Sequence, residues 1–244
     1  MLPWQPLYYS MKFDDNVIHN FLIIFRILLL NILFEDNHLL VLNKPAGLLT
    51  QPSGTDQDSL EQQAKIWIKT TYHKPGLVFL EATHRLDKPV SGVVVFARTS
   101  KALSRLNAAM RNKQTHKYYY ALVEGMPPSK QGQLEHYLMH DDFCAQIVYK
   151  EHPQAKIARL NYKVIQETSM GALLEIELET GRYHQIRVQL KAIGCPIIGD
   201  KKYGSQLPFQ PEAIALHHTR LVIDHPVTKK QLKFEAPLPW ELNF

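Results

Sequence analysis

The chain has 244 residues, 45% hydrophobic and 21% charged, a composition typical of a globular protein and not of a disordered one. Its 28 Lys and Arg against 23 Asp and Glu give a net charge of +5 and a pI near 9.0, which favours an anionic partner such as nucleic acid. Cys144 and Cys195 have no CxxC spacing and fit a reducing compartment. The 12 histidines contain no HExxH pattern, so the sequence argues against a metal site.

The first 31 residues form an N-terminal extension whose role the sequence leaves open. The apolar stretch Phe21–Leu30 is interrupted by Arg26 and is shorter than the about 20 residues of a membrane span. A basic leader region and a small-residue cleavage site are lacking, so a secretory signal fits poorly. We interpret residues 1–31 either as an added amphipathic or buried segment or as sequence upstream of the true start. The predicted location is cytoplasmic.

Regular patterns begin at Ile32. Two apolar runs, Ile32–Phe34 and Leu39–Leu42, flank a polar turn and predict a hairpin. Ser59 with Gln62 has the spacing of a capping box and opens a helix. Thr99 or Ser100 caps a second helix, whose apolar residues at offsets of three and seven are Leu103, Leu106 and Met110.

The second half of the chain predicts further strands and one more helix. Strands are expected at Tyr118–Val123, Leu160–Val164, Leu174–Leu178, Leu221–Ile223 and Leu232–Phe234, and a helix at Tyr183–Ile193. Gly194 and Pro196 stop that helix. Because strands and helices alternate without a βαβ rhythm, we predict an α+β fold with a mixed, largely antiparallel sheet.

The segment His84–Gly92 places Asp87 between two bases and directly before the apolar run Val93–Phe96. Such a run predicts a buried strand, and a loop clamped by a core strand is a common position for a catalytic acid. A surface turn that carries charges for solubility is the alternative, since most charged loops are only solvated.

The second unusual segment is Thr180–Leu190. On a helical wheel with Ile186 as reference, Leu190 lies at roughly 40°, while His184, Arg187 and Lys191 fall together between roughly 100° and 160°. One interpretation is a solvated basic face. The other is that Arg187, at the edge of the buried stripe, pairs with a carboxylate or phosphate, and Asp87 is the obvious partner.

Strand alternation places Tyr119 on one face with Ala121 and Val123, and Tyr118 and Tyr120 on the other. Tyrosines in strands are mostly packing residues. A tyrosine at a cleft also offers a flat surface on which a nucleic-acid base stacks.

Taken together, the motifs resemble the RluA type of RNA pseudouridine synthases over about Ile32 to Leu242. The matching strings are Asn43-Lys44-Pro45-Ala46-Gly47, His84-Arg85-Leu86-Asp87 with Ser91-Gly92, Lys117-x-Tyr119-x-Ala121-x-Val123-x-Gly125, Gly181-Arg182-x-His184-Gln185-Ile186-Arg187, Gly194-x-Pro196-Ile197-x-Gly199-Asp200-x-x-Tyr203-Gly204, Leu216-His217 and His225-Pro226. Several ordered motifs over that length make the resemblance specific.

The resemblance implies a pseudouridine synthase fold in residues 32–244, with a sheet in two halves around a central cleft. It implies that uridine in RNA becomes pseudouridine by cleavage of C1′–N1, rotation of the uracil and rejoining at C5, without metal or cofactor. Asp87 would be the catalytic carboxylate, as a nucleophile or a base, Tyr119 would stack on the flipped uracil and help to remove the C5 proton, and Arg187 would pair with Asp87. Arg85 would fill the gap left by the extruded nucleotide. The other RNA-binding residues implied by the motifs are Lys117, Arg182, His184 and Gln185.

The implied partner is ribosomal RNA or tRNA, with no membrane, no obligate protein partner and a monomeric enzyme. Two other functions compete. One is a catalytically silent RNA-binding or ribosome-assembly factor. The other is a glycosidase, which needs a second carboxylate within about 5–10 Å, and the sequence offers no obvious partner for Asp87.

Overall fold

The computed structural model describes residues 30–241. Its strands are β1 (Ile32–Glu35), β2 (Leu39–Lys44), β3 (Glu81–Ala82), β4 (Ser91–Ala97), β5 (His116–Glu124), β6 (Gln131–Asp141), β7 (Cys144–Val148), β8 (Lys156–Thr168), β9 (Gly171–Leu178), β10 (Leu216–Asp224) and β11 (Gln231–Glu235). The helices are α1 (Leu60–Thr71), α2 (Ser100–Arg111), α3 (Gln185–Ala192) and a short 3-10 helix (Lys201–Tyr203).

All strands of the described residues join one sheet in the order β1-β2-β4-β10-β5-β9-β8-β6-β7, with β11 paired to β10 and β3 to β4. Its pairs are antiparallel except that β10 runs parallel to β4. That parallel contact consists only of His217 opposite Ser91 and His218 opposite Gly92. The narrow junction joins a half built on β2 and β4 to a half built on β5, β9, β8 and β6. This confirms the predicted α+β fold.

Strand β4 is buried along its whole length, as the apolar run Val93–Phe96 predicted. Its Val94 and Phe96 belong to the larger core cluster with α1, and its Val93 and Val95 to a second cluster with α2. Both faces are therefore covered by helices, which explains an uninterrupted apolar sequence in place of an alternating one. The loop that precedes β4 is thereby attached to the most rigid part of the molecule.

Gly92 is required where β4 and β10 approach each other. Its φ is +119°, and an added Cβ would lie against the backbone of His218, 2.6 Å from the amide nitrogen. We expect Gly92→Ala to lower the free energy of unfolding by about 4 kcal/mol, because backbone strain and overpacking add at this position. Urea unfolding measures this. Gly76→Ala, where a Cβ meets nothing within 4 Å, is the control and should be near neutral; equal losses in both variants would contradict the assignment.

The hairpin, the α1 and α2 helices and the strands at 118–123, 160–164, 174–178, 221–223 and 232–234 are confirmed. Ser59 Oγ caps α1 by accepting the Gln62 amide proton, and Thr99 Oγ1 caps α2. The prediction for the third helix was wrong at its start, since α3 begins at Gln185 and not at Tyr183. Sequence reasoning missed the β6–β7 hairpin, although Leu134, His136 and Leu138 alternate with polar residues before the turn at 142–143.

The extension proposed for residues 1–31 lies mostly outside the described residues. Of this segment the structure places Leu30, packed against the larger core cluster, and Asn31, whose carbonyl accepts the Asn43 amide proton. Within residues 30–241, none of the helices is long and apolar enough to cross a membrane.

Candidate active site at the junction of the two sheet halves

The Asp87 loop lies directly before β4 and is held from several sides. Thr50 Oγ1 donates to the Leu86 carbonyl at 2.8 Å and accepts the Leu86 amide proton at 3.1 Å. The Val90 amide donates to the Asp87 carbonyl, and the Ile214 amide to that of Pro89. These bonds hold the Asp87 backbone while its side chain stays about one quarter exposed.

Lys44 is a buried lysine beneath this loop, and sequence reasoning gave it no role. Its side chain is fully buried, and its Nζ donates to the carbonyls of Pro45, Leu48 and Lys88 at 2.9, 2.6 and 3.2 Å. Burial lowers the Lys44 pKa to about 7, and the nearby Asp87 charge opposes this. Lys44 thus ties the loop after β2 to the loop that carries Asp87.

Arg187 of α3 contacts Asp87, as the helical wheel predicted. Its Nη1 lies 2.9 Å from Asp87 Oδ2, and its side chain is 6% exposed, which excludes the solvated basic face for this residue. Burial alone lowers the pKa of the guanidinium, but hydrogen bonds and charges from Asp200 and Asp87 more than offset this and raise it above its ordinary value. Arg187 is therefore a permanent cation beside Asp87.

Asp200 is a second carboxylate at the site, and sequence reasoning quoted it in a motif without a role. It is 1% exposed and holds the other edge of the same guanidinium, with Arg187 Nε at 2.6 Å from Oδ2 and Nη2 at 2.9 Å from Oδ1. A carboxylate committed to a bidentate ion pair is not available as the acid of a glycosidase. The signal that could have found it is a single acidic residue that follows the apolar pair Ile197-Ile198 and precedes Lys201-Lys202.

His184 precedes α3 and does not lie on it. Its φ is 49°, the left-handed region that non-glycine residues rarely adopt, and such strain often marks a functional position. Its Nε2 lies 3.3 Å from Asp87 Oδ2. Lys191, which the wheel grouped with His184 and Arg187, is exposed, so only the latter two converge on Asp87.

Tyr119 presents one face of its ring to the pocket around Asp87 and stacks with the other on His218. The ring centroids lie 4.5 Å apart with an interplanar angle of 18°. Burial, with a smaller contribution from the Asp87 charge, raises the Tyr119 pKa well above its ordinary value and keeps the phenol protonated. His218 in turn is fixed by a 2.6 Å contact between its Nδ1 and the Val93 carbonyl.

His217 and His218 are neighbours on β10 whose side chains have different partners. Both are fully buried at the junction of the two sheet halves. His217 Nδ1 lies 2.8 Å from Ser91 Oγ, whereas His218 supports Tyr119. Neither histidine lines the pocket around Asp87, but both support it from behind, and sequence reasoning did not assign them.

Buried histidines make the fold sensitive to mild acid. Burial lowers the pKa of His184 and His217 to about 4 and of His218 to about 3, so the folded protein keeps them neutral. In the unfolded chain they protonate near pH 6.5. Stability is thus fully present above pH 6.5 and is lost as the pH falls towards 4, at about 1 kcal/mol per pH unit for each histidine. Urea unfolding midpoints at pH 7.5, 6 and 5 measure this loss, and a midpoint that does not change with pH would contradict it. As a control, His73→Gln at an exposed position should leave the dependence of stability on pH unaltered.

The residues that the sequence assigned to RNA binding differ in exposure and in their distance from the surface. Arg85 and Arg182 are exposed at the rim of the Asp87 pocket, and Lys117 is half-buried on the Tyr119 face of β5. Gln185 is 3% exposed, and its amide contacts Thr180, the Arg182 amide and the Arg159 carbonyl. Gln185 thus supports the loop before α3 and also lines the Asp87 pocket, and its assignment to RNA binding stays a prediction.

The pocket around Asp87 is narrow, about 70 Å³, and lined among others by Arg85, Tyr119, His184 and Arg187. Ligand pockets usually reach several hundred Å³, so admission of a base requires rim side chains such as Arg85 and Arg182 to move. A groove of about 560 Å³ opens beside it, past Leu178 and Arg182, and is lined by Arg111, Lys113 and Lys117. In residues 30–241 no three histidine, cysteine or acidic side chains form a cluster suited to a metal ion.

A carboxylate and an arginine at the junction of a two-part sheet, with a tyrosine face and a basic groove beside them, suit an enzyme that acts on a base in RNA. The sequence model of the RNA pseudouridylate synthase family matches residues 38–192. Ribosomal large subunit pseudouridine synthase D of Zymomonas mobilis is 34% identical over 88% of this chain and 71% of its own length. Synthase C of Vibrio cholerae is 31% identical over 87% and 67%.

Solved structures agree. Human RNA pseudouridylate synthase domain containing 4 superposes with a TM-score of 0.74 at 25% identity, covering 92% of this chain and 94% of that one. Human RNA pseudouridylate synthase domain containing 1 has a TM-score of 0.70 at 21% identity, over 87% and 85%, and supports the fold. The chain belongs to the RNA pseudouridylate synthase family, and it is an isomerase that converts uridine in RNA to pseudouridine.

Proposed function

We propose that this enzyme modifies uridines of large-subunit ribosomal RNA and that Asp87 is its catalytic carboxylate. The observation that carries the catalytic assignment is the 2.9 Å contact between Arg187 Nη1 and Asp87 Oδ2 inside the pocket. The guanidinium gives the carboxylate a fixed counter-charge and a fixed orientation, which suits either a nucleophile or a base. The names of the bacterial relatives support the ribosomal target, with tRNA as the alternative.

Tyr119 supplies the free face of its ring to the extruded uracil. One face already rests on His218, so the ring is held before the base arrives and loses little freedom on binding. Removal of the C5 proton by a tyrosine phenolate is disfavoured, because the raised pKa keeps the phenol protonated. We therefore assign Tyr119 to stacking on the uracil and not to removal of the C5 proton. At the rim, Arg85 takes the place of the extruded nucleotide.

The RNA strand next to the target uridine lies in the basic groove beside the pocket. Arg111 and Lys113 stand at the end of α2 and are exposed, while Lys117 and Arg182 line the groove nearer the pocket. The cations thus form a continuous path from the surface to Asp87. Phosphates of a single strand passing along it would gain contacts without any base-specific readout.

We expect the double variant Arg111→Ala/Lys113→Ala to raise KM about tenfold and leave kcat unchanged, because phosphate contacts contribute equally to substrate and transition state. The slope of log Kd against the logarithm of the salt concentration should fall by about 1.4, because two phosphate contacts are lost. Steady-state kinetics and filter binding at several salt concentrations measure both. Lys69→Ala/Lys74→Ala makes the same charge change at residues that line neither the pocket nor the groove, and an equal effect there would count against the proposed path.

The target is tested with unmodified transcripts of large-subunit ribosomal RNA and of tRNA, incubated with purified enzyme. Since the product is an isomer of equal mass, pseudouridine is located by carbodiimide adducts that stop primer extension. Discrete sites in ribosomal RNA that are absent with Asp87→Asn support the proposal. Modification of tRNA alone would show that tRNA and not ribosomal RNA is the target. If the wild-type enzyme modifies neither RNA, the proposed substrate is refuted.

We propose that residues 32–244 form one catalytic domain preceded by an extension. We also propose that the protein works in the cytoplasm as a monomer without an obligate protein partner. The described sheet begins at Ile32, which supports the proposed boundary. Light scattering of the purified protein, alone and with RNA, tests the monomer.

A further inference from the structure

We propose that the turn at residues 200–203 is a positioning element that directs the Arg187 guanidinium and the His184 ring toward Oδ2 of Asp87 and so leaves Oδ1 as the reacting oxygen. Asp200 acts through Arg187, and Tyr203 acts through His184. The inference rests on the proposed role of Asp87 and concerns how that carboxylate is oriented.

Both side chains lie at the same oxygen. Arg187 Nη1 donates to Asp87 Oδ2 at 2.9 Å, and His184 Nε2 lies 3.3 Å from it in a close contact that is not aligned as a hydrogen bond. Among the described residues no donor lies within hydrogen-bond distance of Oδ1. An oxygen that accepts from a guanidinium and faces a second side chain is a poorer nucleophile and base than its unbonded partner, so Oδ1 is the one available to the ribose or the uracil.

Asp200 fixes the direction of the arginine. Its two oxygens accept from Nε and Nη2, which sets the plane of the guanidinium and leaves Nη1 to face Asp87. The Tyr203 ring also lies against this group, with the Arg187 Cζ 5.0 Å from the ring centroid. A single flexible cation thereby becomes a fixed donor.

Tyr203 fixes the proton of His184. The Tyr203 hydroxyl accepts the Ala145 amide proton at 2.7 Å, and its own proton has two acceptors, His184 Nδ1 at 2.9 Å and the Ala145 carbonyl at 3.4 Å. We place that proton toward Nδ1, the nearer of the two acceptors. Burial keeps the His184 ring neutral, with its pKa lowered to about 4, so its one ring proton is then on Nε2, which lies 3.3 Å from Asp87 Oδ2.

The other groups around the carboxylate do not supply this direction. The Lys44 ammonium is occupied by three backbone carbonyls, and Tyr119 offers its ring. Tyr183 stacks on His184 with ring centroids 3.8 Å apart and confines the imidazole to one plane. Tyr183 thus sets the plane of the ring and Tyr203 its tautomer, and together they keep the Nε2–H group beside Asp87.

The test is Tyr203→Phe, which keeps the ring against Arg187 and removes the hydroxyl. We expect kcat to fall about tenfold or more with KM within twofold, as for other residues that orient a reacting group. In ¹⁵N-histidine spectra, His184, identified by its loss in His184→Asn, should show the Nε2–H tautomer in wild type and a mixture in Tyr203→Phe. Tyr162→Phe removes another buried hydroxyl, outside the pocket lining, and should change neither readout.

Asp200→Asn is the second variant, because an amide cannot accept from both edges of the guanidinium; kcat should fall about tenfold or more with little change in KM. A wild-type kcat in Tyr203→Phe, or an Nδ1–H tautomer of His184 in wild type, overturns the inference. If Asp200→Asn does not fold, Tyr203→Phe decides. The His184 tautomer is measured without substrate. A wild-type enzyme that is inactive on every RNA would therefore refute the proposed function, while the tautomer measurement would still test the positioning element.

Discussion

Asp87→Asn is expected to abolish pseudouridine formation, with a loss of at least about 10⁴-fold, because no other group in the pocket can replace the carboxylate. The neighbouring Asp200 is locked to Arg187 by two hydrogen bonds, and Tyr119 is held protonated by its raised pKa. An amide at position 87 keeps the shape of the side chain but is neither a nucleophile nor a base at neutral pH.

The same variant should remain folded and should bind RNA nearly as wild type does. Without the Asp87 charge, Arg187 keeps Asp200 as its counter-ion, and the Lys44 ammonium keeps its three carbonyl acceptors. Equal urea midpoints and equal affinities in filter binding check this. Glu212→Gln makes the same chemical change at an exposed carboxylate that pairs with Lys88 of the same loop, and its activity should stay within twofold. Activity above about one percent in Asp87→Asn would eliminate the proposed role.

Arg187→Met is expected to lower the free energy of unfolding by about 3–5 kcal/mol, in addition to the loss of activity. The variant removes the partner of Asp200, which is 1% exposed and therefore almost completely shielded from bulk solvent. Urea unfolding at pH 7.5 measures the loss. Arg159→Met breaks a pair with Glu135 that is about one third exposed, and it should cost less than about 1 kcal/mol.

A double variant separates the charge from the packing. Asp200→Asn in the Arg187→Met background removes the unpaired anion, and we expect at least half of the lost stability to return. Activity should not return with it, because Asp87 still lacks its cation. If Arg187→Met alone unfolds within about 1 kcal/mol of wild type, the ion pair with Asp200 is not a buried one in solution.

The local elements of this fold are largely predictable from the sequence. The caps at Ser59 and Thr99 and the apolar run of β4 identify their elements by short-range spacing. The wheel placed Arg187 at the edge of the buried stripe, which was sufficient to predict its contact with Asp87 although the two residues are 100 positions apart. The wheel also grouped His184 with Lys191 on one helix, but His184, with a φ of 49°, lies before α3, and Lys191 is exposed.

By itself, the sequence determined the fold class, the family motifs and the pairing of Asp87 with Arg187, because each depends on a repeat or on an ordered string of residues. Only the tertiary structure decided that Asp200 shares the guanidinium, that His218 supports Tyr119 and that Tyr203 faces His184. Sequence spacing carries the geometry of one helix or strand. The partner of a buried polar group is chosen by the packing of remote elements, here the meeting of β4, β10, α3 and the turn at 200–203, where each buried charge and donor must find a partner.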